Sequence, residues 1–281
     1  MATNQQRREA AKRKLERQIE HRQQRARRNR MIGAAVTAGA VVIVAGLVVF
    51  LATRSDDDSA ARADEQQPRE PSVQIPSERA PVPERTKPLP KQVDCSYEKS
   101  PEPAAKDVDR PKNGKVLARG TIDVSMETTA GPIGLTLDRS LAPCTVNSML
   151  NLVKQDFYEG SECHRLGTRG LQMLQCGDPT GSGRGGPGYS FADETFPQLS
   201  YGRGLVAMAN SGPDTNGSQF FLVYGEAQLE PNYTVFGTIS DEGLATLDKV
   251  AKGGIGEQGP TGDGTGKPQI PVKFTKVTVQ S

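Results

Sequence analysis

Met208-Ala-Asn-Ser-Gly-Pro-Asp-Thr-Asn-Gly-Ser-Gln-Phe-Phe221 decides how the C-terminal half of this 281-residue chain is read. The stretch joins two short β-prone runs, residues 205–209 and 219–223, through a glycine-rich loop, and a third such run follows at 234–239. Runs this short, separated by loops of this kind, belong to a mainly β domain.

Working outward, residues 121–126 alternate between apolar and polar, Thr129-Ala-Gly-Pro132 is turn chemistry, and residues 133–137 alternate again, which predicts a β-hairpin. Pro143-Cys144-Thr145 introduces a helix carrying Val146, Met149, Leu150, Val153 and Phe157 at helical spacing, with Gly160 as its stop. A second helix has Asp241 as N-cap, Leu244, Leu247 and Val250 on one face, and Gly253 beyond its end. Residues 272–279 form a last alternating strand. Many short strands with only two helices predict a closed antiparallel barrel capped at its ends, occupying residues 114–281.

The other half reads differently. With 30 Gly and 20 Pro, the chain is expected to hold one compact domain plus non-globular segments. A formal net charge of +2 hides a basic head, since residues 1–30 carry eleven Lys or Arg against Glu9, Glu16 and Glu20. Leu15 and Ile19 alone cannot build a buried stripe, so this segment is read as solvated and as setting membrane orientation, with no nucleic acid expected. Residues 31–53 are uncharged and rich in Val, Ala, Gly, Leu and Ile, enough for a helix to span about 30 Å of hydrocarbon and meet membrane lipid. Positive charge on the N-terminal flank places the N-terminus in the cytoplasm and everything after Ser55 outside. A cleaved signal peptide is the competing reading, but its apolar core is usually shorter. Residues 54–113 are rich in Pro, Glu, Arg and Ser and are read as a disordered, extended tether.

In the folded half the residues resemble a known family. The 208–221 stretch is similar at nearly every position to the signature of the cyclophilins, and Cys163-His-Arg, Gln175-Cys-Gly-Asp178 and Val235-Phe-Gly237 follow in that family's order. The resemblance spans roughly residues 117–280. It implies an eight-stranded antiparallel barrel with a helix over each end, peptidyl-prolyl cis/trans isomerase activity on X-Pro segments of unfolded or exported proteins, no cofactor and no metal. A membrane-tethered form like those of actinobacteria, monomeric and facing out of the cell, is the expectation.

Prolyl isomerisation makes and breaks no covalent bond; it crosses a rotational barrier of about 18–20 kcal/mol. What helps is a donor that draws the prolyl nitrogen's lone pair out of conjugation, an apolar slot for the ring and polar groups holding the flanking backbone. By resemblance Arg165 is the donor, Met173, Phe221 and Leu229 build the slot, and Gln175, Ala209, Asn210 and Gln219 hold the peptide, with Ser211 and Tyr233 beside them. Met173 and Gln175 are two apart, so on a strand both face one groove.

Several positions depart from the family pattern. Cys163 stands where Phe usually precedes the His-Arg pair, and the link from Arg165 to Gln175 is about two residues longer than usual. An aromatic normally found in that link is missing, with Leu171 or Gln172 in its place. Gln228 and Tyr233 occupy positions where many cyclophilins carry Trp and His, and the chain has no Trp, so the indole contact to the drug cyclosporin is lost.

Other signals are set aside. Residues 181–186 spell GxGxxG, but Pro187-Gly188 follows in place of a helix, so no dinucleotide site is read there. Cys163 and His164 are strand neighbours facing opposite ways, so they form no dyad, and His164 is read as a buried structural residue. Asn216-Gly-Ser and Asn232-Tyr-Thr are literal glycosylation sequons inside the signature region that need no glycan to explain them. Four cysteines beyond the anchor permit three disulfide pairings or free thiols; one pairing is Cys163 with Cys176 across a hairpin and Cys95 with Cys144. Two functions stay open at this point: an extracytoplasmic isomerase, or a proline-peptide binding and chaperone module whose altered pocket blunts turnover.

Overall fold

A computed structural model describes residues 73–259 and 263–280. The basic head, the apolar run at 31–53 and the first part of the expected tether lie outside those residues. Among the described residues no helix is long and apolar enough to cross a membrane.

The strands in chain order are β1 (Gln92–Cys95), β2 (Glu98–Lys99), β3 (Gly114–Leu117), β4 (Thr121–Thr128), β5 (Ile133–Asp138), β6 (Arg165–Gly167), β7 (Leu171–Cys176), β8 (Tyr189–Ser190), β9 (Leu205–Met208), β10 (Phe220–Ala227), β11 (Val235–Ile239), β12 (Ile255–Gln258), β13 (Thr265–Pro268) and β14 (Phe274–Val279). Two helices, α1 (Pro143–Val153) and α2 (Asp241–Gly253), interrupt them. Ten strands form one antiparallel ladder in the order β12-β13-β6-β7-β10-β9-β11-β5-β4-β14, and β1–β3 and β2–β8 are small separate pairs.

The expected closed eight-stranded barrel is corrected here: ten strands enter the ladder, and its end strands β12 and β14 do not pair with each other. The start of β14 instead meets residues 160–163, just ahead of β6, through Gly160 N–H to Phe274 O (2.8 Å), Phe274 N–H to Ser161 O (3.0 Å) and Cys163 N–H to Val272 O (2.9 Å). That segment is no strand, because Ser161 turns back to bond the Tyr158 carbonyl from both N–H and hydroxyl while Phe157 and Tyr158 plunge into the core. Backbone polar groups are thus satisfied without a regular ladder. Met126, Ile133, Leu135, Leu137, Phe220, Leu222, Phe236 and Phe274 fill the interior from several strands.

Both helix boundaries differ from the sequence reading. Helix α1 stops at Val153 because Asp156 takes a left-handed conformation (φ 52°) and Phe157 N–H reaches back to Leu152 O, so Phe157 is buried core beyond the helix and Gly160 is not its stop. No local side chain caps its start. The Glu194 carboxylate, from the loop before β9, accepts from Cys144 N–H (3.0 Å), Thr145 N–H (2.8 Å) and the Thr145 hydroxyl (2.8 Å). In α2 the N-cap is Ser240, whose hydroxyl oxygen accepts from Gly243 N–H (3.0 Å); Asp241 and Glu242 are the acidic first turn, and Gly253 is the last helical residue.

The larger correction concerns residues 73–113, which are laid along the domain as a strap. Tyr97 is fully buried, its hydroxyl donating to Cys144 O (2.9 Å), and Cys95 is disulfide-bonded to Cys144 at the start of α1. Arg79 pairs with Asp241 (2.6 Å), the first residue of α2, and donates to Ile239 O. Composition misleads because arginine guanidiniums, not apolar side chains, make many of the contacts. Arg85 donates to Leu141 O (2.8 Å) and Glu194 O (2.7 Å) and lies 4.6 Å over the Phe196 ring. Removing it strands two carbonyls and takes the nearest countercharge from buried Glu194, whose pKa burial already pushes up. Arg85→Ala is therefore expected to cost about 1–3 kcal/mol of stability, measurable as a lowered urea midpoint with tyrosine fluorescence as the probe.

Candidate active site

Three ladders set the site. Arg165 on β6 pairs with Gln175 on β7, Gln175 with Phe221 on β10, and Phe221 with Ala207 on β9. Directly opposed residues of antiparallel strands project from the same face, so Arg165, Gln175 and Phe221 stand side by side. Met173 and Leu171 share that face with Gln175 by the two-residue period, and Gln172 does not. Gln172 instead accepts from Glu226 N–H (2.8 Å) and donates to Gln74 O (2.7 Å), which ties down the strap. Of the two residues offered for the missing aromatic, Leu171 is the one that faces the groove.

A polar relay crosses these strands. Arg165 Nη1 donates to Gln175 Oε1 (3.4 Å), Gln175 Nε2 to Gln219 Oε1 (2.9 Å), and Gln219 Nε2 to the carbonyls of Gly183 and Gly185 (3.0 Å each). Arg165 Nε also donates to Thr265 Oγ1 (2.9 Å), and Nη2 to Asp263 Oδ2 (3.1 Å). A guanidinium has five N–H groups, so among the described residues two are left for a ligand, and the side chain is 37% exposed.

The glycine-rich loop at 181–186 is a collar around Asp178, a fully buried carboxylate that accepts from Thr180 N–H and hydroxyl (2.7 Å each), the Ser182 hydroxyl (3.3 Å) and Arg184 N–H (3.1 Å). Burial raises the Asp178 pKa, but the bonds from Thr180 and the loop amides outweigh it, and the net shift is downward. Gly185 must be glycine because a Cβ there would collide with the Asp178 carboxylate. Once collared, the loop turns its carbonyls toward Gln219.

The apolar side of the site is an aromatic trio. Phe221 packs edge-on to Tyr233 (centroids 5.7 Å) and is tilted against Tyr201 (6.3 Å), and Tyr201 packs edge-on to Tyr233 (6.1 Å). The Tyr201 hydroxyl donates to Tyr233 O (2.8 Å) and accepts from Tyr233 N–H (2.9 Å), fixing that ring's backbone. Burial pushes the Tyr201 phenol up to about 12, so it stays a neutral donor.

Leu229 is half-buried on the segment after β10, packed against the core. Ala209 N–H is used by Gln219 O (3.0 Å), and Asn210 Nδ2 donates to Asn232 O (2.9 Å). Ser211, next in the chain to Asn210, is exposed, and its N–H donates to Thr215 Oγ1. Tyr201, Asp263 and Thr265 were missed by the sequence reading. None sits in a periodic run, and only the ladder of β13 with β6, which pairs Thr265 with Gly167, brings the last two to Arg165.

Cys163 and Cys176 are joined in a disulfide, so no thiol is available beside His164. Both His164 ring nitrogens are buried and lack a partner among the described residues. Burial lowers its pKa, with Asp178 opposing and Arg165 adding to the fall. A depressed imidazole favours the fold above the ordinary 6.5 and loses that advantage as pH falls below it. Histidine appears only twice in the chain, so proton NMR should show one imidazole, assignable to His164 by its loss in His164→Gln, titrating clearly below 6.5.

The model of the family "Cyclophilin type peptidyl-prolyl cis-trans isomerase/CLD" matches residues 123–279. A Mycobacterium leprae protein named "Probable peptidyl-prolyl cis-trans isomerase B" is 50% identical over 203 residues, 67% of this chain and 66% of that one. Its namesake in Mycobacterium tuberculosis is 48% identical over 199 residues, 66% of this chain and 63% of its own. The chain thus spans just under two thirds of the length of these relatives. A crystal structure of a cyclophilin type peptidyl-prolyl cis-trans isomerase from Cryptosporidium parvum superposes with a TM-score of 0.51 at 31% identity, covering 58% of this chain and 99% of that one. The family match runs from within β4 to the end of β14 and takes in every strand that carries the Arg165–Gln175–Phe221 row, and the chain belongs to the cyclophilin-type peptidyl-prolyl cis-trans isomerase family.

Proposed function

We propose that the chain is a peptidyl-prolyl cis/trans isomerase that binds X-Pro segments of unfolded or exported proteins in the groove between Arg165 and the aromatic trio. The observation that carries this reading is the single row of Arg165, Gln175 and Phe221, a half-exposed cation, an amide and an apolar wall on neighbouring strands. Phe221, Met173 and Leu229 receive the proline ring. Gln175 and Gln219 present amides to the flanking backbone. Arg165 then donates toward the prolyl nitrogen as the amide twists, when its lone pair localises. A charged hydrogen bond contributes about 1.5–3 kcal/mol, and each 1.36 kcal/mol gained only in the transition state is worth tenfold. Arg165 alone thus supplies about 10–100-fold, and orientation in the groove supplies the rest.

One observation favours a second reading, a binding module with slow turnover: Leu171 gives the groove an aliphatic wall where an aromatic is the family pattern. A protease-coupled proline-peptide assay on the full-length chain separates the two. Arg165→Ala is expected to lower kcat/KM by about 10–100-fold with the fold intact by circular dichroism; equal slow rates in both proteins would leave only the binding module.

We further propose that residues 31–53 anchor the chain in the cytoplasmic membrane with the isomerase domain outside. The flanking charge asymmetry supports this orientation, and the Cys95–Cys144 and Cys163–Cys176 bonds suit an oxidising compartment. Protease added to intact cells should digest the domain while leaving a cytoplasmic control untouched. Full protection would reverse the topology.

A further inference from the structure

We propose that Asp263 is a positioning and specificity-determining residue for Arg165, clamping its guanidinium and setting the charge preference of the groove for residues beside the proline. This deepens the isomerase reading and rests on it. Asp263 stands two residues before Thr265, the first residue of β13, beside Arg165. There Oδ2 accepts from Arg165 Nη2 (3.1 Å), while Oδ1 accepts from both Thr265 N–H (3.0 Å) and the Thr265 hydroxyl (2.6 Å). Because the Thr265 hydroxyl gives its proton to Asp263, its oxygen is turned to accept from Arg165 Nε (2.9 Å). The two carboxylate oxygens therefore hold one edge of the guanidinium twice, directly and through a 4%-exposed threonine. Gln175 adds a third, longer contact at 3.4 Å.

A clamp of this kind removes rotamer freedom from a long side chain before the peptide arrives, which is where preorganisation gains rate. It also changes the field. The Asp263 side chain is 39% exposed and the Arg165 side chain 37%, so a peptide in the groove meets a paired dipole and not a bare cation. An acidic residue next to the proline loses much of the attraction that an unpaired Arg165 would give it, and a basic residue loses the repulsion. Solvent screening keeps the effect modest, on the order of two- to fivefold for a half-exposed pair.

Asp263→Asn is a narrow test because the amide keeps an oxygen for the Thr265 bonds yet must turn a donor toward either Arg165 or Thr265. Asp263→Glu keeps the charge on a longer stem. Both variants and the wild-type full-length chain are to be assayed on peptides carrying Glu, Ala or Lys immediately before the proline, measuring kcat/KM and, by titration, Kd. In Asp263→Asn, kcat/KM on the Ala peptide should fall about two- to tenfold, and the Glu-to-Lys preference should move toward Glu by about threefold. Asp263→Glu should retain the wild-type preference. An unchanged preference in Asp263→Asn overturns the proposal, and so does an equal change in both variants, which would trace the effect to loop shape. A wild-type chain that binds the peptides without turning them over fails the isomerase reading alone, and the Kd ratios still decide the role of Asp263. One that does neither overturns both.

Discussion

Lateral register across β6, β7, β10 and β9 is the constraint on which the site depends. Because strand side chains alternate, a slip of one residue in β7 would exchange Leu171, Met173 and Gln175 for Gln172, Leu174 and Cys176 on the groove face. Two features oppose such a slip. The disulfide from Cys176 to Cys163 ties the end of β7 to the residue two before Arg165, so the covalent link sits beside the Arg165–Gln175 pair. Gly177 follows directly with a φ of +91°, pressed so closely on the Ser218 carbonyl that no side chain fits. The turn out of β7 and the entry into β10 are thereby fixed against each other, and the arginine, the glutamine and the phenylalanine inherit their alignment.

The strap acts on the same structure from outside. It is bonded through Cys95 to Cys144, where the Glu194 carboxylate also gathers the first amides of α1. Asp193, next in the chain to Glu194, accepts from Asn216 Nδ2 (2.7 Å) and from Asp214 N–H (2.9 Å), both in the loop between β9 and β10. Hydrogen bonds and one covalent link therefore run without a break from residues 85–95 to the loop that holds Asn210. A segment that composition marks as spacer is an integral part of the domain's support.

How much was legible in the sequence follows from the range of each interaction. Alternation and helical spacing are local, so the hairpin of β4 and β5, both helices and the last strand were readable, and so was the row built from Arg165, Met173, Gln175 and Phe221 through its resemblance. Helix ends were less so: Asp156 in a left-handed conformation stops α1 before Gly160 can, and Ser240 caps α2 one residue ahead of Asp241. The strap was misread because the Arg79–Asp241 pair and the Arg85 bonds to Leu141 O and Glu194 O hold it where periodicity looks for an apolar pattern. Tyr201 and Asp263 were invisible for a stricter reason. Each lies in an irregular loop and acquires its role only from a partner 32 or 98 residues away.

The proposed isomerase mechanism places opposing demands on Arg165. The share of catalysis that Arg165 supplies, with no covalent step, is only as large as its hydrogen bond strengthens between ground and transition state. A freely rotating arginine would spend part of that gain on ordering itself, yet one whose donors were all engaged would have nothing to offer the prolyl nitrogen. Thr265, Asp263 and Gln175 take one donor from each of the three guanidinium nitrogens and leave one on each terminal nitrogen. The plane is fixed while its outer edge stays open. Asp263 also lowers the net charge at that edge, which weakens attraction to any anionic peptide group already present in the ground state. The donor geometry that meets the twisted amide is untouched by that pairing, so the discrimination between the two states is preserved where the chemistry uses it.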